Sequence, residues 1–443
     1  MLQTGLQLEQ APPISVPYRF FLSAPIFLVL AAAVLLWRGP EMLESPLSPA
    51  ALAVTHLFTL GFMSMAMMGA IMQMLPVLVG APIPWPRAVA GISHTGLCLG
   101  TLSLAAGFLF GTPWLLMAGT VALGIAFAVF TAAVALSLWR SQVKNSTMQV
   151  IWLAVIALIA TAAFGVTLAS SLGWGIAPPN VSIQFLHPAW GLFGWAGLLA
   201  IGVAYQVVPM FQMTPRYPNL MVKYLVATVF LLLVLWSTVL WIGNGTWVPW
   251  ASACALALAA AYVVFAAMTL VLQQRRRRRL PDITLSFWKL GMGCLIAANA
   301  IWALWIASPL ELPPAVEVLV GLLALLGCAV SIIIGMLYKI MPFLTWFHLQ
   351  SRTGAGRLVP NMKRMLCESD QRLQFRIHVA ALALLVAAVA WPTVLVYPAA
   401  LALGAAGALL EVNLLKVLYV LRDFGKNPPS FSGLAASGHV CSE

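Results

Sequence analysis

Long apolar runs separated by short polar stretches follow one another along the whole chain. Twelve approach or exceed the roughly 20 residues that an α-helix needs to cross a bilayer. They cover 18–37, 50–78, 88–110, 114–138, 148–171, 186–212, 221–242, 248–272, 285–307, 315–347, 375–396 and 399–421. This pattern predicts an all-α polytopic membrane protein, a single membrane domain over 1–443, with tails at 1–17 and 425–443. The first tail contains Pro12, Pro13 and Pro17. No short cleavage-type region follows the first apolar run, so we expect no cleaved signal peptide.

Within the runs one motif recurs: Gly69-Ala70-Ile71-Met72-Gln73-Met74-Leu75-Pro76, Gly202-Val203-Ala204-Tyr205-Gln206-Val207-Val208-Pro209 and Gly335-Met336-Leu337-Tyr338-Lys339-Ile340-Met341-Pro342. The copies start 133 residues apart, each late in its run, and each has Gln, Gln or Lys three residues before the proline. A fixed interval of this kind is the mark of an internal repeat. It predicts three four-helix units over 18–138, 148–272 and 285–421, with the motif on the second helix of each. Glycine lets a neighbouring helix approach closely, and proline frees a carbonyl that neighbours satisfy.

Composition agrees: 62% of the 443 residues are hydrophobic and 8% charged, outside the range of water-soluble domains. The net charge of +12 does not point to nucleic acid, because it is sorted by loop. Arg87, Arg140, Lys144, Arg216, Lys223, Arg275 to Arg279, and Arg352 through Arg376 lie in alternate loops, whereas the opposite loops carry Arg38 beside Glu41, Glu44, Glu311 and Glu317. By the positive-inside rule both termini are cytoplasmic, in a bacterial inner membrane, with the basic loops facing anionic lipid headgroups. The six cysteines form no Cys-x-x-Cys pair and do not read as a disulfide framework.

Candidate chemistry is sparse. His94, His348, His378 and His439 fall at or near the basic-loop side. His56 and His187 fall near the outer ends of the second and sixth helices, at matching depth. Counted at 100° per residue, His56, Met63, Met67 and Met74 share one face, a thioether and imidazole set that suits copper(I). On the same count Tyr205 shares a face with His187. Gln73, Gln206 and Lys339 are the polar positions of the motif. Glu411 lies inside the twelfth helix, where a carboxylate is costly and usually functional.

Twelve helices in three arcs, cytoplasmic termini, and the stretches His56-Leu57-Phe58-Thr59-Leu60-Gly61-Phe62 and His187-Pro188-Ala189-Trp190-Gly191-Leu192-Phe193-Gly194-Trp195 resemble subunit I of the haem-copper oxidases and the related NnrS-type haem and copper membrane proteins. The resemblance implies b-type haem, copper or both, with His56 standing where a low-spin haem ligand stands and His187 where a copper ligand stands. The chain departs from the oxidases in having no histidine pair on the seventh helix and none over Pro314 to Phe347 on the tenth. A working oxygen or nitric oxide reductase is therefore not expected. The expectation is a non-oxidase relative, binding haem or copper or having lost both, with a role in nitric oxide or respiratory-metal physiology. Its partners would be the bilayer, and respiratory-complex subunits or a second copy. Two alternatives stay open. One is a proton-coupled or solute transporter using Glu411, Lys339, Gln73 and Gln206. The other is a structural or assembly subunit of a respiratory complex.

Overall fold

The computed structural model describes residues 8–142, 146–277, 282–308, 313–353 and 359–426. Lys144, Arg278, Arg279, Glu311, Arg357, His439, Cys441, residues 1–7 of the first tail and 427–443 of the second lie outside the described residues.

Eleven helices among the described residues are long and apolar enough to cross a membrane. In chain order they are α1 Ser15–Arg38, α2 Pro49–Val77, α3 Pro86–Phe110, α4 Pro113–Arg140, α5 Ser146–Gly173, α6 Ile183–Gln212, α7 Met221–Ile242, α8 Pro249–Gln274, α9 Ile283–Ala307 and α10 Pro314–Ser351. After α11, Glu368–Ala388, comes the eleventh of them, α12 Pro392–Phe424. The helix α11 corresponds to the run predicted over 375–396. It starts earlier, with Glu368 and Asp370 in its first turn, and ends at Ala388, before Pro392 opens the next helix; the charges at its start keep it below the apolarity of the other eleven. The chain is a multi-pass membrane protein.

Local chemistry sets the helix starts. Proline occupies the first helical position of α2, α3, α4, α8 and α10, where its missing N–H costs nothing. Ser48 caps α2 by accepting from the Ala51 N–H at 3.2 Å, and Gly80, at φ 62°, ends the helical stretch after Pro76. Exposed tryptophans mark both membrane boundaries: Trp37, Trp114, Trp250 and Trp391 at the end carrying Glu41 and Glu44, and Trp85 and Trp139 at the basic-loop end. Cys98, Cys254, Cys294 and Cys328 are free thiols. Cys367 departs from the expectation, being disulfide-bonded.

The helices close into a ring: α4 packs on α5, α8 on α9, and α12 back on α1. Inside it lie α2, α6 and α10, which are the most enclosed: 67, 56 and 61% of an apolar 18-residue stretch of each is buried, against 50% or less in the other spans. Each of the three inner helices contains a π-helical segment, at Leu57–Ser64, Trp190–Leu198 and Leu323–Val330. The segments start at equal intervals of 133 residues.

Each inner helix meets one outer helix, α1, α5 or α9, through two glycines eight residues apart. A Cβ on Gly61 would lie 2.2 Å from the Phe27 ring, and one on Gly69 2.7 Å from Phe20 Cβ, both in α1. Gly194 and Gly202 meet Ala157 and Val150 of α5 at 2.8 and 2.1 Å, and Gly327 and Gly335 meet Cys294 and Phe287 of α9 at 2.7 and 2.8 Å. The motif glycine is thus a packing surface, and a second glycine in the π segment extends it.

In the second and third copies the polar position of the motif ties the same helix pair together near the basic-loop end. Gln206 Nε2 donates to Thr147 Oγ1 at the start of α5, at 3.3 Å. Lys339 pairs with Asp282, just before α9, at 2.9 Å, and Asp282 also accepts from the Thr284 N–H at 3.0 Å. Asp282→Ala loses both a cap and an ion pair, and is expected to cost about 1–2 kcal/mol. Lys339→Gln, which installs the residue of the other two copies, is expected to cost under about 1 kcal/mol, since the pair is partly solvated. Melting of the two variants in detergent compares them, and equal losses would contradict the capping role of Asp282.

Candidate functional site

His56 stands on the last α turn before the π segment of α2, and its Nδ1 lies 2.7 Å from the Leu52 carbonyl oxygen one turn earlier. His187 stands at the corresponding end of α6, and its Nδ1 lies 3.0 Å from the Thr161 carbonyl oxygen of α5. A carbonyl only accepts, so each Nδ1 carries the proton and each neutral imidazole keeps its Nε2 as a lone pair. This is how ligating histidines are commonly held, with the far ring nitrogen anchored to the backbone.

The two rings are neighbours. Their centres are 6.2 Å apart and their planes are inclined by 15°. On the other side of His56 is Phe108 of α3, with ring centres 5.3 Å apart. His187 fits against α5 because residue 165 is glycine: a Cβ there would lie 2.8 Å from His187 Cε1 and 3.2 Å from Nδ1. The pair thus occupies the junction of α2, α3, α5 and α6. Both histidines are half-buried residues.

Eight residues further along each helix, the same two helices meet again, where the Trp195 indole N–H donates to Ser64 Oγ at 3.3 Å. In an uninterrupted α-helix residue 63 follows residue 56 on one face. The π turn, with its i→i+5 bonds, slips in one residue, so Ser64 takes that place toward α6, as Trp195 does toward α2. This corrects the face count made from the sequence. Met63 and Met67 are buried in the apolar core, two and three turns of helix away from His56. Ser64→Ala, which leaves a buried indole N–H unpaired, is expected to destabilise by about 1–3 kcal/mol. A melt that matches wild type would show that the bond does not hold α2 to α6.

Tyr205 is likewise not beside His187. Its hydroxyl donates to the Met221 carbonyl at 3.0 Å and its ring meets Tyr217, at the basic-loop end of α6. Gln73 is half-buried. Gln206 and Lys339 make the helix ties described above. Glu411 is half-buried on α12, and its Oε2 has no hydrogen-bond partner among the described residues. The structure therefore unites His56 with His187 and keeps the other candidates apart from them. Sequence reasoning missed Thr161, Gly165 and Phe108, which carry no motif. It also missed Gly61, Gly194 and Gly327, whose 133-residue spacing is in the sequence.

No family model matches the sequence, and neither does any curated protein. Among solved structures, the cryo-EM structure of a heme-copper terminal oxidase dimer is similar, with a TM-score of 0.56 over 93% of this chain and 84% of that one, at 9% identity. The fold is that of a haem-copper oxidase. At this identity the likeness speaks for the fold alone.

The oxidase-like fold raises the question of which metal groups the residues suit. The donor set for an oxidase-type haem and copper pair is missing: α7 has no histidine, and α10 carries His348 only near its basic-loop end. Among the described residues no three His, Cys, Asp or Glu side chains gather as a metal site. What the chain does offer is two neighbouring imidazole rings, 6.2 Å apart between centres, each with its Nδ1 on a backbone carbonyl.

Proposed function

We propose that this chain is a non-oxidase relative within the oxidase-like fold, and that it holds one transition-metal centre, a copper ion or the iron of a b-type haem, between His56 and His187. The observation that carries this is the pairing of the two rings, each with Nδ1 anchored to a carbonyl and Nε2 left as a donor. With metal–nitrogen bonds of about 2.0 Å, and ring centres roughly 1.1 Å behind each nitrogen, two imidazoles facing one ion place their centres about 6 Å apart. Imidazole suits copper and iron alike. Such a centre would supply electron transfer or capture of a small diatomic ligand. The protein's part is to fix the tautomers, orient the rings and exclude water.

A role in nitric oxide or respiratory-metal physiology rests on the resemblance to the NnrS-type proteins. The sorting of basic loops supports a bacterial inner membrane with both termini cytoplasmic. Equal spacing of the π segments and of the glycine pairs supports a triplicated unit over 18–138, 148–272 and 285–421. The dimeric state of the similar oxidase supports a homo-oligomer. Gln206 and Lys339 act as helix ties, which favours the metal reading over a transporter lined by these groups. The test is an absorption spectrum with pyridine haemochrome on purified protein, and copper measured on the same sample. Stoichiometric haem or copper is expected. Finding neither, in cells grown with ample iron and copper, would contradict the proposal.

A further inference from the structure

We infer that the His56–His187 site selects a monovalent d10 ion, copper(I), in two-coordinate geometry, and that Gly165 is the residue that positions His187 for it. This rests on the reading of the pair as a metal centre and narrows it.

Three observations carry the inference. First, the donor set is two neutral imidazoles, and no third ionisable ligand joins them among the described residues. Zinc takes four ligands and copper(II) a tetragonal set; a copper(I) ion is content with two. Second, the surroundings are apolar: Phe108 covers His56, and the junction is built from membrane-spanning helices. The cost of burying an ion grows with the square of its charge, and neutral donors cancel none of it. A divalent ion there would cost about four times as much desolvation as a monovalent one. Third, α2 and α6 are hydrogen-bonded to each other just further in, at Ser64 and Trp195. That contact ties the two helices together about two turns from the rings, which argues against a haem macrocycle reaching between them on that side.

Gly165 follows from the same geometry. His187 lies directly over the α5 backbone, with its Nδ1 on the Thr161 carbonyl, and a methyl group at 165 would fall 2.8 Å from Cε1. The ring would have to shift from its place over α5, changing its position relative to the His56 ring while leaving both ligands in the chain. Gly165 is therefore a positioning residue. Gly124 on α4, where an added Cβ meets nothing within 4 Å, is the matched control.

The experiment titrates the full-length protein in detergent with copper(I) under reducing conditions against a chromogenic copper(I) chelator, then challenges the loaded protein with silver(I) and with zinc(II). One copper(I) per chain is expected, displaced by silver(I) and not by zinc(II). Gly165→Ala is expected to weaken copper(I) binding by at least about tenfold, and Gly124→Ala by less than about twofold. Zinc(II) displacing copper(I), or Gly165→Ala binding as wild type does, would overturn the inference. Should Gly165→Ala fail to fold, the silver and zinc challenge on wild type still decides. A b-type haem on both histidines would overturn the copper(I) assignment and leave the metal centre standing. No metal of any kind would remove both.

Discussion

Gly202→Ala is expected to lower the stability of the protein by about 1–3 kcal/mol, the usual cost of forcing an extra group into a packed seam. The added Cβ would stand 2.1 Å from Val150 Cγ1 and 2.8 Å from Val150 Cβ. Valine has no second rotamer to retreat to cheaply on a helix, because branching at Cβ fixes χ1. So α5 and α6 must move apart, and the same two helices build the His187 pocket. The comparison is with Gly124→Ala and Gly321→Ala, where an added Cβ meets nothing within 4 Å. There the intrinsic helix preference of alanine over glycine, up to about 1 kcal/mol, acts unopposed. Thermal melts in one detergent separate the cases. A melt for Gly202→Ala equal to that of the two controls would show that the seam is not close-packed in the membrane protein as it exists.

His56→Ala and His187→Ala are each expected to weaken metal binding by at least about a hundredfold, and the double variant by little more than either alone. The reason is that the two rings act as one unit. A single imidazole cannot hold an ion in an apolar junction, so removing either donor forfeits nearly everything the pair supplies, and the effects do not add. The control is the fold itself, read by thermal melts of the same variants, in which the Trp195–Ser64 bond remains. Retained binding in both single variants would place the metal elsewhere.

Much of the fold was legible because transmembrane helices announce themselves by length and apolarity. The exception, α11, was misplaced by several residues because its first turn is charged. The glycine–proline motif pointed to a repeated helix, and the structure gives its glycine a task, close approach to α1, α5 or α9. The π segments were not legible. A π turn is stabilised by the packing around it, and no local propensity marks it. Missing them shifted every face count beyond residue 57 on α2 and beyond residue 190 on α6.

The meeting of the histidines was hidden for another reason. His56 and His187 are 131 residues apart, two short of the repeat interval, so superposing the copies does not align them. They meet where α2 and α6 come together inside the ring, at the two imidazoles and again at Ser64 and Trp195, which only the tertiary arrangement determines. Their matching depth was visible. The carbonyls of Leu52 and Thr161, which fix both tautomers, were not, because a backbone oxygen has no signature in a sequence.

The most direct test of the central claim is X-ray absorption on the metal-loaded, full-length protein. The account predicts two nitrogen scatterers at about 2 Å with the outer-shell pattern of imidazole, and the loss of that signal in both His56→Ala and His187→Ala. A porphyrin nitrogen set with two axial imidazoles would keep the pair as ligands and replace copper by haem. Sulfur scatterers, or a single imidazole, would contradict the claim that these two rings share one ion.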